Sequence, residues 1–414
     1  MVYVLSKNNK PLMPCENVIA RLLLKSNKAM VVRKCPFTIK LLQENTEYVQ
    51  SLVLGVDTGS GTFGTAVFCE ETSKIVYTSQ VEIRNDVHKK MKQRKMFRRN
   101  RRSRKTRYRK AKFLNRKNSI KTGRFSPTMV SKFHSHIKEL NFIYSILPIK
   151  TLVLETGTFD THLMKDPRLA NPKVRHWGYQ KGPNYGFEST KAQILYRDGY
   201  KCRNCGKTKC KLEVHHIVFK SKGGSDEPEN LITLCHKCHW KVHNEGLKLK
   251  NNGKKSNLKF ATQMNSIRKQ LLIIYPQALE TFGFVTKANR FNLNVLKDHY
   301  LDACVIASGG KAFTICCNLF KKKSVSKGDY QQTFGSHSEK RYQTGKVCGF
   351  RKFDKVKYKG QEYFIKGKMS SGYAFLMDID GNTQKFTNPK MPKFNKLKRI
   401  SARTSTLTIY KQIA

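Results

Sequence analysis

Two C-x-x-C pairs, Cys202/Cys205 and Cys235/Cys238, are separated by 29 residues. Two thiolate knuckles at that spacing make a tetrahedral four-cysteine structural Zn²⁺ site, the staple a block of about 60 residues needs. Cys210 has no partner at metal spacing and reads as ordinary. Inside the block run Leu212-Glu-Val-His215-His216-Ile-Val, Gly223-Gly224, Asn230-Leu-Ile and Cys238-His239-Trp-Lys-Val-His243. With four thiols available, these histidines are surplus to zinc. A strand pair carrying His-His, a Gly turn, an Asn and a helix carrying His is a ββα unit that faces one imidazole toward a single divalent ion. His216 is then the general base, because an imidazole titrates near neutrality. His215 holds the metal, with His239 or His243 as a further ligand. Asn230 orients the base or completes the metal shell, and His236 is surface.

A second set is dispersed. Leu52-Val-Leu-Gly-Val-Asp57-Thr-Gly59 is a buried-strand pattern ending in an acid and a turn, and it returns as Leu152-Val-Leu-Glu155-Thr-Gly157. Thr65–Phe68 and Ile75–Ile83 supply two more strands between them. The phrase Asp298-His299-Tyr-Leu-Asp302 is helical, with His299 and Asp302 three apart on one face. Asp298 alone is an ordinary cap. Two strand-end carboxylates and a His/Asp helix face suit two Mg²⁺ ions roughly 3.5–4 Å apart that clamp a scissile phosphate.

The elements that position these groups sit in a chain of 414 residues with 81 Lys+Arg, 28 Asp+Glu and a formal charge of +53. That self-repulsion costs compact-state stability unless a polyanion neutralises it, so the expected partner is nucleic acid. Apolar residues at 39% exclude disorder of the whole chain. No apolar run approaches the roughly 18 residues of a membrane span, and Met1–Lys10 lacks a signal-peptide pattern. The cysteine usage fits a reducing compartment. The expectation is a soluble, intracellular protein with no membrane partner.

The charge is concentrated. Lys89–Lys117 holds 17 Lys/Arg in 29 residues without an acid, and residues 318–414 carry 22 against six. No Gly or Pro interrupts 87–122, so the first tract predicts one long helix whose apolar residues define no wide stripe. Asn171–Gly186 and Leu247–Leu258 have linker composition and bracket the cysteine block as an insertion. Val347–Phe386 alternates around turns and predicts small antiparallel β structure.

The order Pro11-Leu-Met-Pro14, Asp57 strand, Arg-rich helix, Glu155 strand, inserted Cys/His block and His299-x-x-Asp302 resembles the IscB family of compact RNA-guided nucleases of bacterial transposons. The resemblance covers nearly the whole chain and implies an α/β fold. Its core is an RNase H-like (RuvC) mixed sheet with an inserted zinc-stapled ββα HNH domain, an Arg-rich bridge helix and a small C-terminal β domain. The implied boundaries are 1–51 for the PLMP-type domain, 52–86 for RuvC-like part I and 87–120 for the bridge helix. RuvC-like part II follows at 121–170, then a linker at 171–187, the HNH domain at 188–246 and a second linker at 247–262. RuvC-like part III takes 263–320, and the C-terminal domain, reading a short motif beside the target, takes 321–414.

By this resemblance Asp57, Glu155, His299 and Asp302 hold two Mg²⁺ and cut the displaced strand. His216, with His215, Asn230 and His239, forms the HNH centre, which holds one Mg²⁺ and cuts the guide-paired strand. The first HNH position is often Asp in relatives and is His215 here. Arg94, Arg98, Arg99, Arg101, Arg102, Arg104, Arg107 and Arg109 of the bridge helix would grip a structured guide RNA (omega RNA). The partners are that RNA and double-stranded target DNA, in a monomeric ribonucleoprotein. It would sit in the bacterial cytoplasm, nucleoid-associated when on target. The family's chemistry is RNA-guided, metal-dependent phosphodiester hydrolysis, in which base pairing reads sequence and the protein grips backbone.

Overall fold

The computed structural model describes residues 1–105, 123–178, 181–182, 184–222, 224–249, 258–326, 345–369, 371–387 and 390–412. The chain divides into two compact units, Met1–Gly157 with Ser266–Ala414, and Thr158–Asn265. Among the described residues no helix is long and apolar enough to cross a membrane.

In the first unit β1 (Leu52–Asp57), β2 (Thr62–Cys69) and β3 (Lys74–Glu82) form an antiparallel meander. β4 (Ile149–Thr156) returns parallel to β1, and β5 (Leu279–Phe282) pairs parallel with β4. On the other side β6 (Leu319–Ser324) runs parallel to β3, and β7 (Thr406–Lys411) runs antiparallel to β6. The strand order is β5-β4-β1-β2-β3-β6-β7. The apolar run of β1 fits a strand covered on both faces, and every residue of it is buried.

Both covers are helical. α1 (Val87–Lys105) and α2 (Pro127–Tyr144) follow β3, while α3 (Gly283–Asn292) and α4 (His299–Ser308) follow β5. The Ser126 hydroxyl accepts from Met129 N and Pro127 opens the first turn, which starts α2 sharply. β2 alternates between the two covers. Ala66 and Phe68 pack with Ala303, Cys304 and Ala307 of α4, whereas Phe63 stacks on His136 of α2 at 4.1 Å. Gly55 and Gly64 let α4 press onto the sheet. A Cβ on Gly55 would lie 2.5 Å from Ala303 O and 2.8 Å from Ala307 Cα, and one on Gly64 would run into His299 O.

The α2 side buries an ionic cluster. Lys322 Nζ donates to Glu139 Oε1 and Oε2 at 2.7 and 2.9 Å and to Tyr77 OH at 2.7 Å. Tyr77 OH and Ser79 Oγ donate to Glu139 at 2.6 and 2.8 Å. Burial drives the Lys322 ammonium below its usual range, against the pull of Glu139.

Two small sheets complete this unit. Strands Tyr3–Leu5, Ala29–Lys34 and Phe37–Leu41 form one, with helix Asn17–Lys25 beside it. Strands Lys355–Tyr358, Gln361–Lys368, Ala374–Met377 and Lys398–Ser401 form the other, around Val356, Ile365 and Leu376. The Lys359-Gly360 turn has positive φ at both residues, as a tight hairpin requires.

Two expected divisions do not follow the elements. The 320/321 division cuts through β6, because Lys321-Lys-Lys looks like solvated polar chain yet Lys322 is ion-paired inside. β7 likewise returns from the C-terminal segment to the main sheet. The expected linker 171–187 contains helix Pro172–Gly178. The basic helix extends to Lys105, and its expected remainder, with Arg107 and Arg109, lies outside the described residues.

Candidate nuclease centres

In the second unit helix Thr190–Arg197, capped by Ser189, precedes a hairpin of Leu212–His216 with Leu231–Cys235 and then helix His236–Asn244. Asp198 ties the pieces together. Its carboxylate pairs with Arg197 at 2.9 Å and accepts from Thr233 N at 2.9 Å. The donor atoms of Cys202, Cys205, Cys235 and Cys238 all lie within 4.8 Å of one another. Against burial, which raises it, the N–H groups of Cys205, Cys235 and Asn204 bring the Cys202 thiol down to about 6. Burial first, and then its thiol neighbours, push Cys238 up to about 12. Four thiols so close cannot all ionise without a cation, and this set fits Zn²⁺. Cys210 is exposed and apart from it.

The hairpin and helix gather a second set, His215, His239 and His243, with donors all within 4.8 Å. Both candidate helix histidines therefore join His215, since a four-residue step keeps them on one face. His215 is buried and its Nε2 has no hydrogen-bond partner. Burial, then the neighbouring His239 and His243, hold it down at about 4, so it is neutral at pH 7 with a free lone pair. His239 Nδ1 lies 2.8 Å from Glu213 Oε2, which leaves its Nε2 for a metal. A buried, unpartnered nitrogen beside two more imidazoles fits a divalent ion.

His216 points elsewhere: its Nε2 lies 2.8 Å from Asp226 Oδ1, which Lys220 also holds at 2.8 Å. Asn230 differs from expectation. Its Oδ1 accepts from Val218 N at 2.9 Å and its Nδ2 donates to Val218 O and Ser225 O at 3.0 and 2.8 Å. The carboxamide thus braces the loop behind His216 and neither touches the base nor joins the histidine set. Glu213 and Asp226 went unseen in the sequence, because an acid near a histidine in the chain signals no contact. His236 is exposed, as expected.

In the first unit Asp57 and Glu155 are register partners at the ends of β1 and β4. Thr58 Oγ1 donates to Glu155 O at 2.6 Å and fixes the strand ends. α4, seated on Gly55 and Gly64, brings His299 Nδ1 to 2.5 Å from Asp57 Oδ2. That hydrogen bond raises the His299 pKa. Burial, then the charge of Asp57, raises Asp302, against Arg290, His299 and Lys297. Glu155 is also raised by burial and by the charges of Asp57 and Asp302. Arg290 Nε lies 3.2 Å from the buried Asp302 Oδ1 without hydrogen-bond alignment.

Among the described residues this set is not one whose donors all fall within 4.8 Å. One shared ion would demand that; two would not. With ions roughly 3.5–4 Å apart and donors about 2.1 Å from each, the outer oxygens of a pair site stand roughly 8 Å apart. Mutually repelling, half-buried carboxylates fit two cations.

Arg94, Arg98 and Arg99 are exposed along α1, which is anchored by the buried Val87 and Phe97. Arg101, Arg102 and Arg104 lie on the same helix, with side chains outside the described set.

Residues 2–182 match the RRXRR protein family and residues 202–245 match the HNH endonuclease family. The chain therefore carries an RRXRR-family segment and an HNH endonuclease domain. Anaredoxin of Nostoc sp. is 36% identical over 70 residues, covering 17% of this chain and 91% of that protein. The type IV methyl-directed restriction enzyme EcoKMcrA of Escherichia coli is 39% identical over 61 residues, 13% of this chain and 22% of the enzyme. Among solved structures, Streptococcus thermophilus Cas9 in complex with the AGAA PAM has a TM-score of 0.33 at 11% identity. It covers 61% of this chain and 32% of its own. Type II-C Cas9 of Actinomyces naeslundii gives 0.16 at 16%, covering 44% and 26%. The chain thus spans about a quarter to a third of the Cas9 chains it matches.

Proposed function

We propose that this chain is an RNA-guided DNA endonuclease of a transposon-associated system, with one hydrolytic centre for each DNA strand. The carrying observation is the convergence of His215, His239 and His243 beside a separately held His216 within the HNH match. The strand order and the Asp57–Glu155 register support an RNase H-like, RuvC-type second centre.

His215, His239 and His243 at one centre, and Asp57, Glu155, His299 and Asp302 at the other, would hold divalent ions, which when bound would supply Lewis-acid activation of the phosphodiester and stabilisation of the leaving 3′ oxygen. At the HNH centre Nε2–H of His216 donates to Asp226, which fixes the tautomer and leaves Nδ1 to take the proton of the attacking water. Asn230 keeps the intervening loop in place, so His216 does not collapse onto the ligand set. At the other centre His299, hydrogen-bonded to Asp57, orients that carboxylate, and Arg290 offsets the charge of Asp302.

RNA enters through charge. A +53 chain needs a polyanion, and α1 offers a row of exposed Arg on an anchored helix. The guide-paired strand falls to the HNH centre and the displaced strand to the RuvC-like one. Isolating the full chain with its bound RNA, sequencing that RNA and cleaving a DNA library with randomised flanks tests the reading. One discrete RNA species and RNA-dependent cutting are expected. Equal cutting by RNA-free protein contradicts guidance.

A further inference from the structure

A cavity of about 300 Å³ opens in the first unit between α2, β6, β7 and the two small sheets, lined by neither Asp57 nor Glu155. Five cationic side chains line it: Arg33, Lys34, Lys138, Lys322 and Lys355. Glu139 pairs with Lys322, and Glu362 pairs with Lys355 at 2.7 Å. No such carboxylate reaches Arg33 among the described residues: its Nη1 is buried without a hydrogen-bond partner, and its guanidinium lies 5.1 Å from the Phe142 ring centroid.

The backbone aims it there. A register shift between Val31 and Arg33 breaks the strand's alternation, leaving Val31 and Val32 both exposed while Arg33 turns inward. The bulge thus leaves one guanidinium nitrogen, Nη1, buried without an acceptor, a cost that an anion accepting its N–H groups would offset.

The remaining lining says which anion. Phe142, Phe353 and Phe364 give apolar wall, with Lys322 Nζ 4.0 Å from the Phe142 ring centroid and Arg403 5.5 Å from that of Phe353, and Ser135, Ser324 and Thr404 line the same cavity. The volume, at the lower end of small-molecule sites, exceeds what a bare phosphate needs. We infer that this cavity binds one unpaired nucleotide, its phosphate on Arg33 and its base against the phenylalanine walls. Arg is suited to a phosphate because its planar fork donates two parallel bonds. The nucleotide comes from bound RNA or from the free pool. The RNA source rests on the ribonucleoprotein reading above, whereas the free source does not.

The experiment uses the full chain, as wild type and as Arg33→Gln and Ala402→Phe, the second filling the cavity without touching Arg33. In one arm, calorimetry on RNA-free protein titrates adenosine and uridine monophosphate, with inorganic phosphate as comparison. In the other, ultraviolet crosslinking and mass spectrometry of the RNA-loaded chain locates nucleotides on peptides containing Phe142 or Phe353. A saturable mononucleotide site, weakened about tenfold or more in both variants, supports the inference with the free pool as source. A crosslink at those peptides that disappears in both variants supports it with RNA as source. No saturable binding and no crosslink there overturns it, and RNA-dependent DNA cutting by the same preparation would then leave the proposed function standing. Binding that survives in both variants also overturns it.

Discussion

Gly55→Ala tests how α4 is set against the catalytic sheet. The new Cβ would sit 2.5 Å from Ala303 O and 2.8 Å from Ala307 Cα, whereas real Cβ contacts lie beyond 3.0 Å. Ala307 N would be nearer still, so the helix must retreat by at least about 0.6 Å, and by about 1.0 Å to reach the ordinary contact distance of 3.4 Å. His299 and Asp302 ride on that helix, while Asp57 and Glu155 stay on the sheet. A misplacement near 1 Å costs roughly 100-fold in rate, and the overpacking costs about 1–3 kcal/mol of stability. The assay is plasmid cleavage with loaded guide, following supercoiled, nicked and linear forms. Gly55→Ala should accumulate nicked plasmid with the guide-paired strand cut, because the HNH centre is untouched. Gly61→Ala is the control, since its Cβ would meet nothing within 4 Å. Linearisation by folded Gly55→Ala at the wild-type rate would refute the positioning role of this close approach.

Other perturbations address separate links. Glu139→Gln leaves Lys322 buried without its counter-charge and should cost about 3–5 kcal/mol in denaturant unfolding; a loss under about 1 kcal/mol would show that the cluster is not structural. Cys238→Ser should lower bound zinc from one per chain toward none and abolish cutting of the guide-paired strand while sparing the displaced-strand cut. Full zinc content in that variant, read by elemental analysis, would contradict the four-thiol site. Asp226→Ala frees the His216 ring and should slow guide-paired-strand cutting with DNA affinity unchanged. An equal loss of affinity would instead mark Asp226 as a DNA-binding or folding residue.

The parts legible in the sequence are those written locally. Leu52–Asp57 and Leu152–Gly157 carry both their strand character and their acid in one phrase, and the sheet pairs them in register. The cysteine spacing gives the thiol set, and His299-x-x-Asp302 gives a helix face. What stayed hidden depends on partners distant in the chain. Gly55 looked like any residue of an apolar strand until α4 was found lying on it. Lys322 looked solvated because its partner Glu139 is 183 residues away. His239 and His243 could not be separated by spacing, since one helical turn presents both. Asn230 was misread because its carboxamide serves loop backbone, a role that residue type alone does not distinguish from metal or base contact.

Strand-resolved cleavage of a doubly end-labelled target by the RNA-loaded chain tests the two-centre claim most directly. Asp57→Ala should cut only the guide-paired strand and His216→Ala only the displaced one, both with target binding near that of the unaltered chain. Cutting of both strands by either variant would contradict the division of labour between the two centres.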